Sequence, residues 1–301
     1  MEHLNWLQRP TLRRPVLIVA FEGWNDAGDG ASAAASYLAR RWGAAEFASV
    51  DPEEFYDFTS TRPQVRIVDE GARAIDWPEN TFSWASPAGS DRDVVFLRGV
   101  EPQLRWRTFC SLVTDAAKSL GVELVVVLGA LLAEVPHTRP VRVLGTAADR
   151  ELVDRLGLRV SRYEGPTGIL GVLADAFGKA GIPTASLWAS VPAYVGQTPS
   201  PKATLALVSR LAEVLDVEVP TVDLDVASAA YERQVSEVVA ADEDATAYVR
   251  SLEEVDDTDD DASDDELELE FDFDIDEEEL PGGDIIADEV ERYLREQGSS
   301  N

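Results

Sequence analysis

The run "VELVVVLGALL", from Val122 to Leu132, sets the tightest limit on what this chain can fold into. It carries one charged residue, Glu123, and is otherwise Val, Leu, Gly and Ala. It falls short of the roughly 18 apolar positions that a membrane-spanning helix needs. It also has no polar side to turn toward water. A short run that is apolar on both sides belongs in a sheet covered on both faces, as the strands of parallel sheets are. Runs of the same kind occur at Val16–Phe21, bounded by Pro15 and Gly23, at Asp93–Leu97, and at "PTASLWASV" (183–191). Further strands are expected at Glu46–Val50, Val65–Val68, Thr81–Ala85 and 141–147.

Helical stretches separate these runs. Asp29–Trp42 is rich in alanine, the best helix former, and either Asp26 or Asp29 is placed to cap it. Leu104–Leu120 is stopped by Gly121, Asp149–Leu156 by Gly157 and Ile169–Ala180 by Gly181, each a residue suited to the left-handed position past a helix end. Pro201–Leu215 opens on a proline, which suits the first helical turn. Strands and helices alternating over 12–217 predict an α/β fold with a mainly parallel sheet and helices on both faces.

The rest of the chain reads differently. Val222–Leu252 repeats Val and Ala at near-helical spacing among charges, which predicts one or two long amphipathic helices packed on the domain or on a neighbouring subunit. The expected organisation is therefore a domain over 1–220, a helical extension over 221–252, an acidic disordered linker over 253–281 and a short terminal helix, capped by Asp284, over 282–301. Within the acidic stretch Leu, Phe and Ile alternate with acids, a pattern able to form a strand or to dock on a partner once its charge is neutralised. The formal net charge is −31. About 18 acids and no Lys or Arg fall between Glu253 and Glu279, and about five acids against two arginines follow, which leaves roughly −10 for 1–252. Such a surface repels nucleic acid phosphates and anionic lipids, so neither nucleic acid nor membrane is expected as a partner. The single cysteine, Cys110, permits no intrachain disulfide and no cysteine-based zinc site. The first residues, "MEHLNWLQRPTLRR", have no apolar h-region, and a cytoplasmic location is expected.

Three loops carry the residues of chemical interest. In "AFEGWNDAGDGASAAA" (20–35), Gly28, Gly30 and Ala33 match the spacing of a dinucleotide-binding turn, with Asp51 at the end of the next strand. Two features oppose that reading. Gly28 lies too far past the strand, and Glu22, Asp26 and Asp29 crowd the place a pyrophosphate would take, at a cost of about 1–4 kcal/mol per close pair. No Walker-type loop and no G-x-S-x-G elbow occurs. In "AEVPHTRP" (133–140), Glu134, His137, Thr138 and Arg139 offer a base, a donor and an anion clamp at the edge where open α/β sheets bind ligands. The alternative is a structural or interface role for His137 and Arg139. In "SRYEGPTGILG" (161–171), Glu164 and Thr167 precede a helix start able to hold an anion, or to be capped by Thr167. Tyr194, beyond the strand at 183–191, would line the same crevice together with Asn25. No catalytic residue, cofactor or metal is assigned.

Four segments, "FEGWNDAGDGAS", "GALLAEVPHTRPVRVLGTA", "YEGPTGILGVL" and "ASVPAYVGQTPSPKATLALVSRL", occur in the order and spacing of the PAC2 family, the proteins similar to proteasome assembly chaperone 2. The resemblance covers roughly 12–252. It implies a three-layer α/β/α sandwich like that of phosphorylases and hydrolases, self-association into a homo-oligomer, and an assembly or scaffold role through protein contacts, with the proteasome as a possible partner. The alternative is a small-ligand-binding protein, or a hydrolase- or phosphorylase-like enzyme, that uses the crevice.

Overall fold

The computed structural model describes residues 2–68 and 71–259, with side chains through Val255. The acidic alternating segment and the terminal helix expected near Asp284 lie outside the described residues.

The ten strands described are β1 (Leu4–Trp6), β2 (Val16–Glu22), β3 (Ala45–Val50), β4 (Gln64–Ile67), β5 (Arg73–Asp76), β6 (Asn80–Ala85), β7 (Val94–Val100), β8 (Leu124–Ala133), β9 (Val143–Ala147) and β10 (Thr184–Pro192). The seven helices are α1 (Gly30–Arg41), α2 (Trp106–Leu120), α3 (Arg150–Leu156), α4 (Ile169–Lys179), α5 (Pro201–Leu215), α6 (Val222–Val239) and α7 (Glu243–Asp259). Eight strands form one sheet in the order β1-β3-β6-β7-β2-β8-β10-β9. Its four central strands, β7, β2, β8 and β10, are parallel, and the strands beyond them on either side pair antiparallel. The parallel centre coincides with the runs that are apolar on both sides. The first six residues of β2 and the first eight of β8 are buried.

Because alternate residues of a strand face opposite ways, β2 feeds two cores. Val16, Ile18 and Ala20 join α1, α3 and α5 on one side. Leu17, Val19 and Phe21 join α2 and α4, including Cys110, on the other. The result is the expected α/β/α sandwich. α6 packs on α5, and α7 on α6. A third core, with Tyr194, Val195, Tyr231, Val235, Val249 and Leu252, fastens α6 and α7 over the end of β10. No described helix is long and apolar enough to cross a membrane.

Two strands escaped the sequence reading. β1 is three residues long and pairs with β3, so the segment around His3 is tied to the sheet. His3 also accepts the amide of Asp51 at 2.9 Å and sets its ring edge-on to Phe55. β5 pairs with β4 in a separate ribbon. Both strands are too short and too polar to show a period.

Candidate functional site

The parallel strands deliver their following loops to one rim, and register fixes which loops meet. Ala130 of β8 donates its amide to Asn25 O at 2.8 Å, Asp26 forms a bridge with Ala130, and Ala133 lies beside Pro192.

In the loop after β2, Gly28 and Asp29 adopt left-handed backbone, φ +55° and +51°. This turn brings the Asp26 carboxylate back onto the start of α1, where Oδ1 accepts the amides of Ala31 at 2.7 Å and Ser32 at 3.1 Å. Asp26 is therefore the side chain that caps α1, and Asp29 makes no such bond. Gly28 donates to Gly196 O at 2.9 Å and accepts from Ser200 N at 2.7 Å. A Cβ on Gly30 would stand 2.9 Å from Ala203 Cβ. The glycines thus serve the close approach of α1 to the β10–α5 connection. The donors a pyrophosphate would need at Gly28, Ala31 and Ser32 are already engaged, which removes the dinucleotide reading. Burial is the main cause that pushes the Asp26 carboxyl up to about 6, against the lowering effect of its hydrogen bonds. Its Oδ2 is buried with no hydrogen-bond partner. Glu22 is raised too, first by burial and then by Asp29.

The residue that sequence reasoning missed is Glu101, directly after β7. Its Oε1 accepts from Asn25 Nδ2 and from the Ile169 amide, each at 3.1 Å, and its Oε2 accepts the Trp24 amide at 3.3 Å. Glu101 thus occupies the N-terminus of α4, where a carboxylate is favoured by the orphan amides and the helix dipole. The buried Asn25 lies against Gly168, whose Cβ, if present, would fall 2.2 Å from Nδ2. Thr167 does not cap α4. It is exposed, and its hydroxyl reaches only the Gly168 carbonyl, at 3.5 Å. The capping expected of Thr167 is supplied by Glu101, 68 positions away from Ile169. An acid between a strand end and a proline, "VEP", is the local signal for it.

His137 is 3% exposed. Tyr194 accepts the His137 backbone amide at 2.8 Å and lies 2.8 Å from Nδ1. On the ring's other side Nε2 lies 3.0 Å from Ser236 Oγ. Ser236 in turn donates to Glu232 O at 2.8 Å. The Ser–His–Tyr order looks like a hydrolytic arrangement, but His137 and Tyr194 are buried and the Ser236 hydroxyl donates to a main-chain carbonyl, so the serine is not presented to a substrate as a nucleophile must be. Burial and, next, Lys202 push the imidazole down to about 4, so it is neutral at pH 7. Around it Lys202 Nζ donates to the carbonyls of His137 and Arg139 and to Glu232, the last at 2.6 Å. Thr138 donates to Glu253 of α7.

The structure thus gathers the buried His137 and Tyr194 with the half-buried Thr138 and Arg139 into one group, and the buried Asn25 with the half-buried Glu101 into another. Glu134, Glu164 and Thr167 face solvent. The cavity between His137, Arg139, Arg142, Ser190 and Tyr231 measures about 20 Å³, room for one water. Among the described residues no cluster of His, Cys, Asp or Glu could hold a metal ion.

The family model described as "PAC2 family" matches residues 20–239. A PAC2 family protein from Streptomyces avermitilis is 48% identical in a match covering 78% of this chain and 99% of that one, with a TM-score of 0.73. A proteasome-assembly chaperone homologue from Mycobacterium tuberculosis is 49% identical over the same shares, 78% and 99%, with a TM-score of 0.71. An archaeal proteasome activator from Pyrococcus furiosus shares the fold at 19% identity, 78% and 97% coverage and a TM-score of 0.64. No curated protein matches the chain.

Proposed function

The chain belongs to the PAC2 family, and from that premise we propose that it acts through protein–protein contacts, as a scaffold or chaperone in assembly, with the proteasome as its partner. The observation that supports this reading is the state of the rim. Its chemically able groups, Asp26, Glu101, His137 and Lys202, are engaged in bonds that hold the fold together. The contrasting reading, a small-ligand protein or a hydrolase- or phosphorylase-like enzyme, needs an open crevice, whereas the cavity beside His137 has room for about one water. The choice of partner rests on the Mycobacterium tuberculosis relative, itself a proteasome-assembly chaperone homologue.

Self-association belongs to the same reading, and the β4–β5 ribbon supports it. Val65 pairs with Ile75. These two, with Ile67 and Trp77, line one side of the ribbon at 60%, 54%, 77% and 48% exposure. An isolated two-stranded ribbon is marginal in water. The segment 62–77 holds three arginines and three acids and is neutral within a chain of net −31. Like-charged copies can meet there without repulsion, so the occupant is a second copy of this chain.

The test mixes the full chain with purified proteasome subunits and follows complex formation and core assembly on native gels. A discrete complex, or a changed assembly rate, is expected. No complex at micromolar concentration, together with a nucleoside, phosphate or metal that raises Tm, would replace this reading with the ligand-binding one.

A further inference from the structure

The cavity of about 20 Å³ beside His137 lies where the loop after β8, the end of β10, the start of α5 and the middle of α6 meet. Three hydroxyls line it from three elements: Ser190 of β10, Ser200 at the N-cap of α5 and Tyr231 of α6. All three residues are buried, at 2%, 2% and 5% exposure. Tyr231 Oη has no hydrogen-bond partner. The Ser200 hydroxyl is its neighbour, and it eases the upward push that burial gives the phenol. Ser200 Oγ already accepts the Ala203 amide at 3.2 Å. Whichever of the two hydroxyls turns toward the other, one O–H remains without an acceptor. A stranded buried donor costs about 1–3 kcal/mol, so the cavity calls for an occupant that accepts.

The electrostatics select the sign of that occupant. Ser200 and Lys202 stand at the N-terminus of α5, a helix of 15 residues, where the dipole favours negative charge. The amides of Ala203 and Thr204 are taken by the Ser200 hydroxyl oxygen and carbonyl, so what this end still offers is a hydroxyl proton and the dipole itself. The Lys202 side chain, 13% exposed, lines the same cavity. Its protons go to His137 O, Arg139 O and Glu232, but its charge acts through space. On the adjoining His137 imidazole the effect of Lys202 is larger than that of Glu232 or of Glu253. Among the described residues, none that lines the cavity is acidic. Arg139 and Arg142 line it too and have partners of their own; the three hydroxyls suffice as donors. A water could accept from two of them, but it would bring two protons that need acceptors in turn. A monatomic anion brings none.

We propose that this cavity is a halide site, in which one chloride accepts from Tyr231, Ser200 and Ser190 and ties α6 to the start of α5 and the end of β10. Room for about one water admits a halide and excludes sulfate, phosphate and carboxylates. The ion is structural, so the site stands or falls apart from the role in protein assembly.

Thermal melts of the full chain test this, with sodium chloride, bromide or sulfate titrated into sodium gluconate at one fixed ionic strength. Chloride and bromide are expected to raise Tm saturably, by about 2–4 °C at about five times Kd, and sulfate to leave it unmoved. Tyr231→Phe removes the proton and keeps the ring. It should lose the halide-dependent rise and, in gluconate, be at least as stable as the unaltered chain, because no phenol is left stranded. Should that variant fail to fold, Ser190→Ala carries the same test and should weaken halide binding several-fold. Crystals grown in bromide should show an anomalous peak between Tyr231, Ser190 and Ser200. No saturable halide effect in the unaltered chain, a full effect surviving in Tyr231→Phe, or a water at that position without an anomalous peak would each overturn the proposal.

Discussion

Over β8 and β10 the rim of the sheet is covered by α6 and α7, which leave Tyr194 1% and His137 3% exposed; at the same rim the chain between β3 and β6 throws out the β4–β5 ribbon, with Ile67 77% exposed. Register puts both on one edge, because Val50 pairs with Asn80 and Asn80 with Gly99 near the end of β7. One end of the rim has spent its side chains on the chain itself. The other offers apolar surface outward. Buried polar groups hold a fold only while every partner is in place, whereas an exposed ribbon contributes little to the monomer and is available for association. Substitutions at the two ends should therefore differ in kind.

The largest effect is expected at Tyr194. Tyr194→Ala opens a cavity and strands the His137 backbone amide and Nδ1, and should lower stability by about 3–5 kcal/mol, read as the urea midpoint. A loss under 1 kcal/mol would mean that α6 and α7 are not fastened there.

The covered end also has a pH signature of two opposed parts. Asp26 is raised in the fold from 3.8 to about 6. Its contribution to stability is present below its ordinary value and lost as pH rises to about 6. His137 is lowered from 6.5 to about 4. Its contribution is present above 6.5 and lost as pH falls to about 4. The two slopes cancel over much of pH 4–6. Relative to the unaltered chain, His137→Gln should lose stability as pH rises through this range and Asp26→Asn should gain it, each by about 3 kcal/mol. Unfolding midpoints at half-unit pH steps would show this, and two variants running parallel to the unaltered chain would refute it.

Next in size is Glu101→Ala, which leaves the Ile169 amide and Asn25 without their acceptor and should cost about 1–3 kcal/mol. Glu101→Gln, which keeps an acceptor oxygen, should recover part of that. Smallest for the monomer is Ile67→Asp/Ile75→Asp on the ribbon, within about 0.5 kcal/mol in stability, yet it should shift light-scattering mass toward a single chain. A large drop in Tm would place the ribbon inside the fold's own core and erase the contrast.

The covered centre was the legible part. Val16–Phe21 and Val122–Leu132 are apolar on both sides because both sides are buried, and that is visible in one dimension. Antiparallel pairing at the flanks leaves no comparable mark, and β1 and β5 are too short for any period to emerge. At the rim, the types of Asp26 and His137 drew notice, but their roles depend on partners far along the chain. Ser236 lies 99 positions from His137. Glu101 had no local reason to be singled out beyond its place before a proline. Thr167 resembled a cap because the true cap comes from another loop.

One buried atom has a practical consequence. The thiol of Cys110, the chain's single cysteine, sits in the α2–α4 layer at 3% exposure, and burial pushes it up to about 12. Maleimides and disulfide exchange need accessible thiolate, so the native sulfur stays silent. A cysteine introduced on the ribbon or at the exposed Ser251 of α7 would carry a fluorophore or spin label alone, which lets both ends of the rim be followed in an otherwise unaltered chain.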